Sequence, residues 1–140
     1  MKKLIVFMFS IVLLGSCTKD KDCDQWYEGS NCDVEMREKF YGIYIGTIYG
    51  AGTSQAVSTS ITPGSNGAQK LKIDGMADAE LSSSTTFTFP YQTIIDLTNG
   101  NWVISQGSGV LDGDNLTYSM YTPDGINFSF SGSRWFFLLT

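Results

Sequence analysis

The sequence offers few side chains with which to do chemistry. It contains three cysteines, Cys17, Cys23 and Cys32, and no histidine. Without an imidazole there can be no Ser-His-Asp triad, no Cys-His pair and no histidine metal ligand, so the commonest acid–base catalysts near neutral pH are excluded. Paired carboxylates remain the one familiar catalytic arrangement open to this chain, as in glycosidases.

The carboxylates after residue 40 are better explained without catalysis. Asp74, Asp78 and Glu80 are clustered, but solvated charges at strand ends account for them more simply. Asp112 to Asn115 have the oxygen spacing that begins a calcium loop, yet they lack the distal glutamate and stand where a hairpin turn is required. We therefore expect no enzyme activity, no cofactor and no metal site.

The N-terminal residues have the order of an export signal. Lys2 and Lys3 are followed by an apolar run over residues 4–14, which is shorter than the ~20 residues that span a bilayer. Leu14-Gly15-Ser16-Cys17 resembles the lipobox of bacterial lipoproteins, in which a diacylglycerol alkylates the cysteine thiol before cleavage. The resemblance implies a signal peptide over 1–16 and a mature chain held at the membrane by its lipid anchor on Cys17. The alternative is a plain signal or a membrane helix, with Cys17 there by chance.

A charged spacer over residues 17–22 follows the signal. Its Lys19-Asp20-Lys21-Asp22 sequence favours a solvated segment. It resembles the surface-export signals of Bacteroidetes lipoproteins, which implies a location on the outer membrane with display at the cell surface rather than on the periplasmic face.

Cys23 and Cys32 are the only thiols left to pair once Cys17 is acylated, and an exported protein meets an oxidising compartment. We therefore predict a Cys23–Cys32 disulfide. The residues between them resemble the last loop of EGF-like modules, with Trp26 and Gly29 in the places of the aromatic residue and the glycine, although the other four cysteines of such modules are missing.

A short helix is predicted between the disulfide loop and the next domain, so that loop and helix together occupy 23–39. Asp33 would be its N-cap, and Met36 and Phe40 would share a buried face because they are four residues apart. This helix is expected to cover one end of the domain that follows.

The charge balance argues against nucleic acid as a partner. The net charge of −5 becomes −7 when Lys2 and Lys3 leave with the signal. From residue 40 onward the only cations are Lys70, Lys72 and Arg134. Polyanion binding needs clustered lysine and arginine, so DNA and RNA are excluded as expected partners.

Residues 40–140 alternate apolar and polar side chains between turn signals, which predicts antiparallel strands. Asn99-Gly100, Asp112-Gly113 and Asp124-Gly125 favour tight hairpins between sequential strands. Trp102 and Ile104 are predicted to start one strand, with Gly107 and Gly109 bending it. Trp135, Phe137 and Leu139 are predicted to form the last strand, which would close the sheet against the first.

These elements predict an all-β fold: a single antiparallel meander forming a small up-and-down barrel of about eight strands, with a β-sandwich as the alternative. Gly42-x-Tyr44, Phe89-Pro90-x-Gln92 and Ser105-x-Gly107-x-Gly109-x-Leu111 resemble the lipocalin-like or calycin-like domains of small Bacteroidetes lipoproteins. This resemblance implies the barrel and the envelope location, and no activity.

Binding is therefore the expected role, and aromatic residues are the candidates for it. We predict a non-catalytic interaction or structural module that contacts an envelope protein. The alternative is a carrier or sensor that holds a small apolar or glycan ligand in the barrel mouth, because tyrosine and tryptophan offer both a stacking face and a polar group. The residues that would line such a mouth are Tyr44, Tyr49, Trp102, Tyr118 and Tyr121.

Overall fold

The computed structural model describes residues 23–96 and 100–136. These residues form strands joined by short turns, with one 3-10 helix, Met36–Phe40, in front of the third strand. The strands are β1 (Tyr27–Glu28), β2 (Val34–Glu35), β3 (Gly42–Gly50), β4 (Thr53–Pro63), β5 (Lys70–Ile73), β6 (Ala77–Leu81), β7 (Thr86–Phe89), β8 (Gln92–Asp96), β9 (Gly100–Ile104), β10 (Gln106–Asp112), β11 (Asn115–Tyr121) and β12 (Asn127–Arg134).

Eight of these strands close into an antiparallel barrel in the order β10, β11, β12, β3, β4, β5, β6, β7. Side chains alternate between the interior and the solvent, as in β3, where Tyr44 is fully buried between the exposed Ile43 and Ile45. The predicted all-β barrel is confirmed over the sandwich alternative, and the predicted turns at Asp112-Gly113 and Asp124-Gly125 join neighbouring antiparallel strands.

The predicted meander is interrupted once. Strands β8 and β9 pair with each other and not with the barrel, while β7 pairs directly with β10. The prediction of a single strand from Trp102 through Gly109 is therefore wrong. The chain breaks at Ser105, whose backbone N–H and hydroxyl both donate to the carbonyl of Tyr121, at 2.7 and 2.9 Å. These bonds start the pairing with β11 only after the β8–β9 hairpin has ended.

The barrel also closes differently from the prediction. β12 pairs with β3 from Phe128 to Arg134, where the strand ends. Trp135 donates one further backbone hydrogen bond to Ile43 but lies outside the strand. Phe137 and Leu139, also placed in a closing strand, lie outside the described residues.

The 3-10 helix plugs the end of the barrel at which β3 begins. It starts at Met36 and not at the predicted Asp33, because Val34–Glu35 pairs with Tyr27–Glu28 as a small sheet. Phe40 is completely buried. The guanidinium of Arg37 donates to the carbonyls of Gly64, Gly67 and Lys70 at 2.8–3.0 Å and so ties the plug to the β4–β5 loop.

Aromatic rings fill the interior above the plug. They form a continuous series of ring contacts with centroid separations of 5.1–5.8 Å, through Phe40, Phe87, Phe89, Tyr118 and Phe130. Glycine makes room for them: a Cβ on Gly109 would lie 2.1 Å from the ring of Phe87. The interior of the narrow barrel is therefore occupied by side chains.

Candidate functional site

A concave surface lies at the open end of the barrel, opposite the plug. The β3–β4, β5–β6 and β11–β12 turns surround it on the barrel side, and the β8–β9 hairpin forms its remaining wall. Its volume is about 330 Å³. We call it the mouth cup, and its lining residues are Ile48, Gly50, Thr53, Gln55, Met76, Ile94, Trp102, Val103, Ile104, Met120, Tyr121, Thr122 and Phe128.

The hairpin wall is held to the barrel by side chains and not by strand pairing. The amide of Gln92 accepts a hydrogen bond from the backbone N–H of Asp78 and donates one to its carbonyl, both at 2.7 Å. Gln92 thereby replaces the two bonds that a paired strand residue would make. At the other end of the hairpin, Ser105 returns the chain to β11.

An aromatic pair bridges the hairpin and the barrel across the cup. The ring of Trp102 meets the ring of Phe128 edge to face, with centroids 5.5 Å apart and planes at 71°. Gly50 opposes Phe128 in the β3–β12 ladder, and a Cβ there would lie 2.2 Å from the Phe128 ring. Glycine at position 50 is therefore required for this ring to lie where it does.

The chemistry of the lining is apolar and neutral. None of the cup's lining residues is charged. Met76 and Met120 add flexible, polarisable side chains that adapt to different shapes, and Ile104 is almost fully buried at the base of the hairpin. The polar side-chain groups of the cup are an amide, hydroxyls and an indole N–H, those of Gln55, Thr53, Thr122, Tyr121 and Trp102. Such a surface suits an uncharged apolar or aromatic group.

The five aromatic residues predicted for the mouth separate into three places. Trp102 and Tyr121 line the cup. Tyr49 is 52% exposed on the outer wall, where it borders a separate shallow depression beside the β3–β4 turn. Tyr44 and Tyr118 are buried in the barrel and do not line the cup.

The two buried tyrosines have structural partners. The Tyr118 hydroxyl lies 3.3 Å from the Thr59 hydroxyl, and burial raises the pKa of Tyr118 to about 12. Tyr44 donates to the carbonyl of Phe40 at 2.9 Å and accepts from Arg134, also at 2.9 Å. Burial raises the pKa of Tyr44, although the neighbouring guanidinium opposes that rise. Both side chains thus stabilise the barrel interior and the plug.

Sequence reasoning did not identify Met76, Gln55 or Thr122 as lining residues. Phe128 and Met120 stand two residues from Phe130 and Tyr118, so the alternation of each strand puts them on the same face as these residues. Nothing in the local sequence indicates that Phe128 and Met120 line the mouth cup while Phe130 and Tyr118 lie deeper in the barrel interior.

The clustered carboxylates on β6 and in the β5–β6 turn each have a partner. Lys72 donates to Asp78 at 2.9 Å, and Lys70 forms an ion pair with Glu80. Asp74, in the turn, accepts a backbone hydrogen bond from Ser60 at 2.6 Å; burial raises its pKa, and this hydrogen bond opposes the rise.

Of the three cysteines, Cys23 and Cys32 form the predicted disulfide. Cys17 lies outside the described residues. Within the described ranges, no group of three or more histidine, cysteine or carboxylate side chains could hold a metal ion. In that same part of the chain, no helix is long and apolar enough to cross a membrane.

No protein-family model and no curated protein matches the sequence. Among solved structures, a redesigned β-barrel is similar to this chain, with a TM-score of 0.56 and 16% sequence identity. The match covers 72% of this chain and 96% of that one. At this identity the likeness supports the barrel fold alone.

Proposed function

We propose that this protein is a lipid-anchored, non-catalytic binding module of the outer membrane, displayed at the cell surface, which contacts an envelope protein through the mouth cup. The observation that carries the proposal is a neutral aromatic cup set above a barrel interior that side chains already fill. The protein's concave apolar surface is therefore at its mouth.

The anchor is supported by the sequence. Lys2 and Lys3, the short apolar run over 4–14 and the small residues before Cys17 have the order of a lipoprotein signal. Two or three acyl chains on one cysteine hold a protein at a bilayer effectively permanently, since each buried methylene contributes about 0.8 kcal/mol. The charged residues after Cys17 support outward display.

A non-catalytic role is supported by the side chains available. The chain has no histidine, and its clustered carboxylates Asp78 and Glu80 are each engaged by a lysine. The lining of the mouth cup contains no charged group that could transfer a proton near neutral pH.

Recognition of a protein is supported by the anatomy of the cup. Trp102 is 41% exposed and Tyr121 40% exposed, and tryptophan and tyrosine dominate the residues whose truncation costs most at protein interfaces. The cup lies between them and is large enough for one or two apolar side chains of a partner. Gln55 and Thr122 add hydrogen-bonding groups to the apolar lining.

Site-specific photocrosslinking in the native host tests this proposal. The photoreactive residue p-benzoylphenylalanine replaces Trp102, which tolerates the change because it is partly exposed, and a matched variant carries it at Ser58 on the outer wall of β4. We expect one discrete crosslinked protein from position 102 and none from position 58. Equal crosslinking from both positions, or none from either, contradicts recognition of a protein at the mouth.

A second candidate function is favoured by the cup's volume. About 330 Å³ reaches the lower end of the range for small-molecule sites, roughly 300–1,000 Å³, so the cup has room for a small apolar or glycan ligand. Native mass spectrometry of protein purified from its host distinguishes the two. A retained small molecule that is lost in the Trp102→Ala variant supports the carrier, and an empty protein supports the interaction module.

A further inference from the structure

We propose that the plugged end of the barrel rests on the membrane through an exposed apolar patch, the basal patch, formed by Ile43, Ile45, Trp135 and Phe136. The inference rests on the proposed lipid anchor at Cys17. It adds a second contact with the bilayer and fixes which end of the barrel faces away from it.

The basal patch belongs to two chain segments that are hydrogen-bonded to each other. Trp135 donates its backbone N–H to the carbonyl of Ile43 at 2.8 Å, one step beyond the β12–β3 ladder. The exposed fractions are 43% for Ile43, 51% for Ile45, 45% for Trp135 and 60% for Phe136. Four large apolar side chains exposed on bonded segments at one end of a barrel favour a contact site there.

The outer wall of the barrel beside β3 is polar. The residues that oppose the outward side of β3 are mainly serines, such as Ser58 and Ser60 on β4 and Ser129 and Ser133 on β12. Apolar exposure is therefore not a general property of this side of the barrel. Apart from Tyr49 at the mouth end of β3, the large exposed apolar residues of this strand lie near the end where it begins.

The lipid anchor enters at the same end. Phe40, the last residue of the plug, is followed after two residues by Ile43. Arg134 donates to the carbonyls of Lys39 in the plug and of Tyr41 directly after it. The disulfide loop is joined to the plug by a hydrogen bond from Met36 to Trp26 at 2.8 Å. Residues 17–22, the chain between Cys17 and this loop, reach at most about 20 Å when fully extended. An acylated Cys17 thus holds the disulfide loop within that distance of the bilayer, and the loop is bonded to the plugged end of the barrel.

The composition of the patch fits a membrane interface. Tryptophan and other aromatic rings are favoured at the boundary between headgroups and acyl chains. The net charge of −7 on the mature chain gives no overall electrostatic attraction to anionic lipids. Contact through the basal patch is therefore apolar and insensitive to salt.

This placement orients the mouth cup. Ile43 lies at the start of β3, whereas Gly50, at the other end of the same strand, lines the cup. A strand rises by about 3.3 Å per residue, so some 20 Å of strand separates them. With the basal patch on the bilayer, the cup opens away from the anchoring membrane and meets partners that arrive from outside.

Depth-dependent fluorescence quenching tests the proposal. The acylated chain is purified from its host and reconstituted in phosphatidylcholine vesicles that contain lipids brominated near the headgroup. One variant, W26F/W102F, keeps Trp135 as the only tryptophan, and the matched variant, W26F/W135F, keeps Trp102. We expect Trp135 to be quenched several-fold more strongly than Trp102. Equal quenching of the two, or stronger quenching of Trp102, overturns the proposal.

Vesicle flotation in the same samples separates the two hypotheses. Protein that floats while Trp135 stays unquenched refutes the basal patch and leaves the lipid anchor standing. Protein that does not float refutes the anchor, and the basal patch with it.

A substitution provides a second measurement that does not depend on tryptophan. Phe136→Ser should expose the spacer of vesicle-bound protein to protease several-fold faster, whereas Tyr91→Ser, a change at an even more exposed aromatic residue outside the patch, should not. Raising the salt concentration should leave both rates unchanged. Equal rates for the two variants, or a concentration-dependent dimer that forms through this face and is lost with Phe136→Ser, contradict membrane contact.

Discussion

Replacement of Gly109 by alanine should destabilise the barrel by overpacking it. A Cβ at this position would lie 2.1 Å from the Cζ of Phe87 and within 2.6 Å of both Cε atoms. Phe87 is fully buried and cannot swing away, because its ring is packed edge to face against Phe40 at 5.8 Å and Phe89 at 5.5 Å. Overpacking of this kind costs about 1–3 kcal/mol, and we expect Gly109→Ala to lie at the upper end of that range.

Phe87→Leu should relieve the clash, because leucine lacks the far edge of the ring that the new Cβ would meet. On its own it leaves a void and costs less than the ~3–5 kcal/mol of a Phe→Ala change. In the double variant the methyl group introduced by Gly109→Ala partly fills that void. We therefore expect the double variant to be more stable than the sum of the single changes predicts, by about 1–2 kcal/mol.

Equilibrium unfolding in guanidinium chloride, followed by near-UV circular dichroism, measures all three variants. Ser108→Ala serves as the control, because Ser108 is the exposed neighbour of Gly109 on β10 and its loss should change the unfolding free energy little. Strictly additive costs of Gly109→Ala and Phe87→Leu would show instead that the ring and the glycine do not share one space.

Three further predictions concern the disulfide and two groups whose pKa is raised, Tyr118 and Asp74. Loss of the Cys23–Cys32 bond by serine substitution should lower the free energy of unfolding by about 2.7 kcal/mol, the chain-entropy value for a ten-residue loop, and an unchanged denaturation midpoint would contradict it. Burial raises the pKa of Tyr118 to about 12, above its unfolded value near 10, so its contribution to stability is present below pH 10 and is lost as the pH rises towards 12. Tyr118→Phe should flatten the fall in stability measured between those pH values, and identical alkaline slopes would count against it. Desolvation also raises the pKa of Asp74, so the contribution of Asp74 to stability is greatest at acid pH and is lost as the pH rises through the raised pKa. Asp74→Asn should remove that pH dependence, measured by urea unfolding at a series of pH values. An equal pH dependence in the variant and the unchanged protein would show that the carboxyl is solvated.

The barrel was predictable because its local signals agree with its fold. In β3 the alternation separates Tyr44 from Ile43 and Ile45, and the structure buries Tyr44 and exposes the two isoleucines. The predicted turns between strands are equally local. The glycines at 113 and 125 have the positive φ values, 59° and 87°, that the predicted turns use. These signals lie within a few residues of the structure they specify.

The mouth cup was not predictable in the same way, because distant contacts build it. The β8–β9 hairpin leaves the barrel wall through the amide of Gln92, which is 14 residues from its partner Asp78. Trp102 reaches Phe128 on a strand from the other half of the barrel. No periodicity in the sequence distinguishes a hairpin that joins the wall from one that stands beside it.

The construction of the cup also determines how its occupation can be detected. Ile94, Trp102 and Ile104 belong to a hairpin that pairs only with itself, whereas Met120 and Phe128 belong to the closed barrel. A two-stranded hairpin has little stability of its own, so its local opening costs less than global unfolding. Any molecule that binds between hairpin and barrel stabilises the closed form by RT ln(1 + [L]/Kd), about 2.7 kcal/mol at a hundred times the Kd. Slowed hydrogen exchange in β9, with exchange in β12 unchanged, therefore identifies an occupant of the cup whether it is a side chain of a partner or a small molecule.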